Sequence, residues 1–128
     1  MQSAELFRFK GDIMSNVIEY KSFRFAVRIV NLYKYLSREK KEFILSKQLL
    51  RCGTSVGANI AEAQKCHTRP DFNSKMNIAL KEANETLYWL RLLNETEYIS
   101  DKEFKSIYSD IDEIISILTS ICKKTNIK

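Results

Sequence analysis

Glycine and proline are scarce here: three Gly and one Pro in 128 residues. All-β domains turn often, and turns consume both residue types. Their scarcity argues against a sheet-rich fold and for a few long helices joined by short connections. Long apolar runs are missing too. No stretch approaches the roughly 18 residues a membrane span needs. The start, Met1 to Arg8, lacks the basic and then apolar segments of a signal peptide. The cysteines are Cys52, Cys66 and Cys122. An odd number, two of them inside apolar helical patterns, reads as three reduced thiols in a cytoplasmic setting.

Histidine is nearly absent as well, and this limits the chemistry. The single His67 adjoins Cys66, a poor spacing for a zinc clamp. No Glu lies three residues before it, so the Glu-x-x-His pairs of di-iron bundles are missing. Ser55 and the cysteines have no evident base, since His67 is expected in a turn. No Gly-rich loop precedes a helix to cradle phosphate. The sequence therefore assigns no catalytic residue, no metal site and no cofactor, and the protein reads as a non-enzyme.

A chain of this length suits one domain. The predicted organisation is a flexible N-terminal extension over residues 1–15, a bundle over 16–124 and a frayed C-terminus over 125–128. Four segments carry a 3.6-residue apolar period. The first runs from about Val17 to Leu36, with Phe25, Ile29, Leu32 and Leu36 inward. The second runs from about Phe43 to Lys65, with Leu45, Leu49, Cys52, Val56, Ile60 and Ala63. The third, capped by Thr68 with Pro70 in its first turn, runs to about Asn94 through Phe72, Met76, Ala79, Leu80, Ala83, Leu87 and Leu90. The fourth follows the capping box Ser100–Glu103 and buries Phe104, Ile107, Tyr108, Ile111, Ile114, Ile115, Leu118 and Ile121. The fold class is all-α, an antiparallel up-down four-helix bundle.

Three features point beyond the fold. Gly53, Gly57 and Ala61 recur every four residues in the second helix. Each mid-helix Gly costs about 1 kcal/mol against Ala, so another helix, of this chain or a neighbour, is expected to approach closely there. Gln48, Arg51, Ser55, Asn59 and Glu62 share another face of that helix. With Glu82 and Glu85 of the third helix they form a candidate seam: a hydrogen-bonded structural or subunit contact, or a recognition face. Charge is also divided. Residues 16–69 hold 11 Lys/Arg and 4 Asp/Glu, whereas residues 70–113 hold 5 and 10. Arg24, Arg28, Lys34, Arg38, Lys40, Lys41 and Lys47 gather around the first turn, interleaved with Tyr33, Tyr35 and Phe43. Cations there can neutralise phosphates, and exposed aromatics can stack on bases. The same split equally suits attraction between two protein surfaces.

Gln48-Leu49-Leu50-Arg51 and Thr54-Ser55-Val56-Gly57-Ala58-Asn59-Ile60-Ala61-Glu62-Ala63 resemble the signature of a bacterial family of four-helix bundle proteins, related to those encoded by 23S rRNA intervening sequences. Asp71-Phe72, Ile78-Ala79-Leu80-Lys81-Glu82-Ala83 and Glu85-Thr86-Leu87-Tyr88-Trp89-Leu90 are similar to that family's third helix. The resemblance covers about residues 20–95. It implies a homo-oligomer, often a pentamer, with no established enzymatic activity. A related accessory protein of diversity-generating retroelements looks like a basic, nucleic-acid-binding pentamer that also contacts a reverse transcriptase. Many members have Gly where this chain has Ala63, which leaves room for the second helix to run on into Gln64 and Lys65. The expected function is a homo-oligomeric binding or assembly module with RNA or DNA on its basic surface. The alternative is a pure protein-interaction scaffold. No membrane partner is expected.

Overall fold

In the computed structural model, which describes residues 12–126, four helices follow one another: α1 (Asp12–Arg38), α2 (Leu45–Ala63), α3 (Arg69–Glu95) and α4 (Asp101–Asn126). α1 begins at Asp12 rather than Val17. Residues 1–11 of the expected extension, and residues 127 and 128 of the expected frayed end, lie outside the described residues. α2 is shorter than its apolar pattern at both ends. It starts at Leu45, not Phe43, and stops at Ala63, where Lys65 and Cys66 switch to tighter bonds to the carbonyls of Glu62 and Ala63.

The caps explain the other boundaries. The Thr68 hydroxyl accepts from the Asp71 amide at 3.2 Å and opens α3. Ser100 and Glu103 form a reciprocal capping box on α4: the Glu103 amide donates to Ser100 Oγ at 3.2 Å, and the Ser100 amide to Glu103 Oε1 at 3.3 Å. α3 ends in a Schellman turn, with Tyr98 N–H donating to the Leu93 carbonyl and Glu97 N–H to that of Asn94. Glu97 takes the left-handed position there, at φ 68°.

Cross-helix pairs fix the directions. Ile29 meets Gly53 while Ser22 meets Gly57, so α2 runs antiparallel to α1. Arg51 reaches Glu82 and Glu85 while Glu62 reaches Lys75, so α3 runs antiparallel to α2. Lys21 pairs with Glu113 and Arg28 with Asp110, so α4 runs antiparallel to α1. The result is an up-down-up-down bundle in which each helix packs on its sequence neighbours, and α4 closes the ring against α1 along the loosest seam.

The predicted apolar stripes become the core. Phe25, Ile29, Leu49, Val56, Ile60, Met76, Ala83, Leu90, Ile111 and Leu118 are all buried. Ile18, Ser22, Thr86 and Leu93 join them without having been expected. Tyr108 departs from expectation. It is exposed, because the pattern around it supplies Ile107 and Ile111 to the core and leaves position 108 outside.

The two glycines have the predicted packing reason, within this chain. A Cβ on Gly53 would stand 2.9 Å from two Ile29 side-chain carbons. One on Gly57 would stand 3.2 Å from the Ser22 carbonyl oxygen, part of the α1 backbone. Gly53→Ala therefore gains about 1 kcal/mol of helix propensity but overpacks a fully buried β-branched side chain, a change that costs about 1–3 kcal/mol. Urea unfolding should show a net loss of stability. A more stable variant would show that Ile29 moves aside freely.

Candidate nucleic-acid interface

The turn between α1 and α2 is built around one carboxylate. Arg38 ends α1, Lys41 takes the left-handed backbone region at φ 56°, and Glu42 N–H folds back onto the Leu36 carbonyl at 2.9 Å. The Glu42 side chain then accepts three backbone N–H groups at the start of α2: Ile44 at 3.1 Å, Leu45 at 2.9 Å and Ser46 at 2.7 Å. Ser46 Oγ returns a bond to the Glu42 carbonyl at 2.7 Å. Glu42 is only 9% exposed. Burial alone would raise its carboxyl, but the N–H donors of Leu45, Ser46 and Ile44 outweigh burial and hold it below the ordinary value.

This cap decides what the turn presents. With Glu42 turned inward, the next two side chains face outward: Phe43 is 51% exposed and Ile44 75%. Arg38, Lys40, Lys41 and Lys47 flank them in the chain, all exposed. None of the four forms an ion pair among the described residues; Lys40 Nζ lies 5.9 Å from the centroid of the Tyr35 ring.

The other sequence candidates divide. Arg28 belongs to the α1–α4 seam: its guanidinium donates to Asp110 at 2.7 Å and to Ser106 Oγ at 3.1 Å. Arg24 lines a recess on the same seam, with Lys21, Arg28, Asp110 and Glu113. Lys34 is exposed further along α1. Of the basic cluster read from sequence, Arg28 is thus engaged by an acid of α4, Arg24 and Lys34 form no ion pair among the described residues, and four cations stand open at the turn.

The polar stripe lies between α2 and α3. Arg51 donates to Glu82 Oε1 at 3.4 Å and to Glu85 Oε2, which also accepts from Trp89 Nε1 at 3.1 Å. Lys75 pairs with Glu62 at 2.6 Å; the bond lowers the Glu62 carboxyl and raises the Lys75 ammonium. Asn59 Nδ2 donates to the Ser55 carbonyl at 2.9 Å and to Ser55 Oγ at 3.1 Å. Gln48 stays exposed near the turn. Most of the stripe therefore closes on itself within the chain.

Sequence reasoning did not single out a groove of about 580 Å³ between α1 and α2, floored by Gly57, Ala58 and Ala61 and walled by Tyr20 and Phe23. Tyr20 is 67% exposed and Phe23 66%. Its signal was the small-residue repeat read beside two aromatics off the core stripe. Burial raises the thiols of Cys52 and Cys122 and keeps them protonated. Among the described residues no group of acidic, Cys and His side chains is placed to hold a metal ion, and no helix is long and apolar enough to cross a membrane.

Residues 15–120 match the model of a family described as 23S rRNA-intervening sequence protein. Among solved structures the chain is similar to a protein with unknown function from the S23 ribosomal protein family of Bacteroides thetaiotaomicron. The two are 59% identical over 86% of this chain and 98% of that chain, with a TM-score of 0.84. No curated protein matches.

The Glu42 cap makes a pH-dependent prediction. Its folded-state pKa is lowered, so its stabilisation is full above the unfolded carboxyl value of about 4.3 and fades as pH falls through the lower folded value. Glu42→Ala should cost about 1–2 kcal/mol at neutral pH, as lost caps do. The gap from the parent, read by urea unfolding, should shrink below about pH 4. A gap constant with pH would show that the carboxylate charge is not what caps α2.

Proposed function

The chain belongs to the 23S rRNA-intervening sequence protein family, and on that footing we propose that it is a non-enzymatic, homo-oligomeric binding module that holds RNA or DNA on the turn between α1 and α2. The observation that carries this reading is the set of exposed cations, Arg38, Lys40, Lys41 and Lys47, that form no ion pair among the described residues, on a turn locked by Glu42. Cations already paired with carboxylates have their charge spent. Unpaired ones release counterions when they meet phosphates, and that release drives polyanion binding.

Assembly rests on a different surface. The apolar groove between α1 and α2 lies in the basic half of the chain, while α3 and the start of α4 carry the acidic half. Seating α1–α2 of one copy on α3–α4 of the next brings opposite charges together and covers Tyr20 and Phe23. Such a head-to-tail contact closes into a ring when its rotation allows. Among the described residues no disulfide joins the cysteines, a state that suits the cytoplasm. The groove also favours the second reading, a scaffold whose partners are only proteins.

Two measurements separate these readings. Neutralising the four cations (Arg38→Gln, Lys40→Gln, Lys47→Gln, and Lys41→Asn to suit the left-handed backbone) should weaken nucleic-acid binding. It should also flatten the dependence of log K on log salt by about 3 for a single strand, at ~0.7 per phosphate contact. Unchanged binding would sink the site and leave the scaffold. Phe23→Glu should reduce the mass in sedimentation equilibrium to that of a single chain, whereas an unaltered assembly would place the subunit contact elsewhere.

A further inference from the structure

The basic turn carries more than charge. A surface meant only for phosphates has no use for two large exposed apolar side chains, yet Phe43 and Ile44, between Lys41 and Lys47 in the chain, stand 51% and 75% exposed. Their exposure is enforced. The Glu42 carboxylate holds the amides of Ile44, Leu45 and Ser46, and Lys41 holds a left-handed conformation unusual for a residue with a side chain. Non-glycine residues in that region tend to persist where the surrounding structure fixes them, often at functional sites. The same cap occupies the N–H groups of Ile44, Leu45 and Ser46. Contact with a phosphate therefore falls mainly to the side chains.

Resting on the nucleic-acid reading above, we propose that Phe43 is a stacking platform for an unpaired base, so that this turn takes single-stranded polynucleotide in preference to duplex. The ring is available: Phe43 makes no ring contact among the described residues, whereas the Tyr35 ring is faced by Lys40. Bases inside a duplex are stacked on each other and cannot reach such a ring, while an unpaired base can. Charge selects the partner class, because the exposed charged side chains of the turn and the first turn of α2, Arg38, Lys40, Lys41 and Lys47 against Glu39, are mostly cationic. An anionic bilayer shares that charge preference, but interfacial anchoring draws on a continuous apolar helix face. Here the exposed apolar surface of the turn is limited to two residues, and a single base needs one ring.

The test compares the full chain with Phe43→Ala, Phe43→Trp and the four-cation variant. The ligands are a fluorescent mixed-sequence strand of about 12 nucleotides, as RNA and as DNA, and the same sequence as duplex. Phe43→Ala should weaken binding of either strand about 5- to 150-fold, the range of losing one stacked base. It should leave duplex affinity and the salt slope unchanged, and Phe43→Trp should restore the loss. Equal binding of Phe43→Ala and parent, with a loss in the four-cation variant, would overturn the platform and leave the nucleic-acid reading standing. No loss in either variant would overturn both. Two further results would overturn the platform. One is loss of binding to vesicles containing phosphatidylserine with strand binding intact, which makes the turn a bilayer contact. The other is a changed oligomeric mass, which makes it a subunit contact.

Discussion

Two missing side chains set the geometry on which the rest depends. Because Gly53 and Gly57 carry no Cβ, Ile29 and the Ser22 carbonyl of α1 lie directly against the α2 backbone. That approach settles the rotation of both helices. It sends Phe25, Ile29, Leu49 and Val56 into the core, and it leaves Tyr20 and Phe23 on the outer rim with Ala58 and Ala61. With α1 and α2 so close, the chain must reverse within residues 39–44. The left-handed Lys41 and the inward Glu42 accomplish that reversal. The groove and the basic turn both follow from the same contact.

Electrostatics then sorts surface cations by whether an acid lies within reach. Arg28 and Lys21 meet Asp110 and Glu113 across the α1–α4 seam, and Arg51 and Lys75 meet Glu82, Glu85 and Glu62 across the α2–α3 seam. Exposed pairs of this kind add little stability, about 0–1 kcal/mol each, but they remove charge from the pool available to a partner. What remains concentrated is at the first turn. The reading of the protein as a nucleic-acid module depends on that remainder rather than on the net charge of +5.

The bundle was legible in the sequence because its information is periodic and local. Apolar residues at threes and fours, the Thr68 and Ser100 caps and the glycine spacing each speak within one or two turns of helix. The site was less legible. Arg28 looks like part of a basic cluster until α4 brings Asp110, 82 residues away in sequence, to its side. Glu42 looks like a dilution of positive charge because it does not sit at the N-cap itself. Its longer side chain reaches three amides from two residues before the cap. In the sequence Phe43 reads as an aromatic of the basic cluster at the start of α2, but the helix begins after it, at Leu45, and the turn leaves its side chain exposed. The Gln48–Glu62 stripe groups with Glu82 and Glu85 in the sequence, but only the packed structure pairs Arg51 with them and gives Glu62 its partner Lys75 on α3.

The ring of helices also has a history written into its seams. Three of its four contacts join helices connected by only five or six residues, so their chain-closure entropy is small. The α1–α4 contact joins the two ends of the chain and is the loosest. Mostly local contacts place a helical bundle among folders on the microsecond-to-millisecond scale. On such a landscape the consecutive pairs gain the most for the least lost freedom, and the seam held by Arg28 and Lys21 is the one to close last and open first.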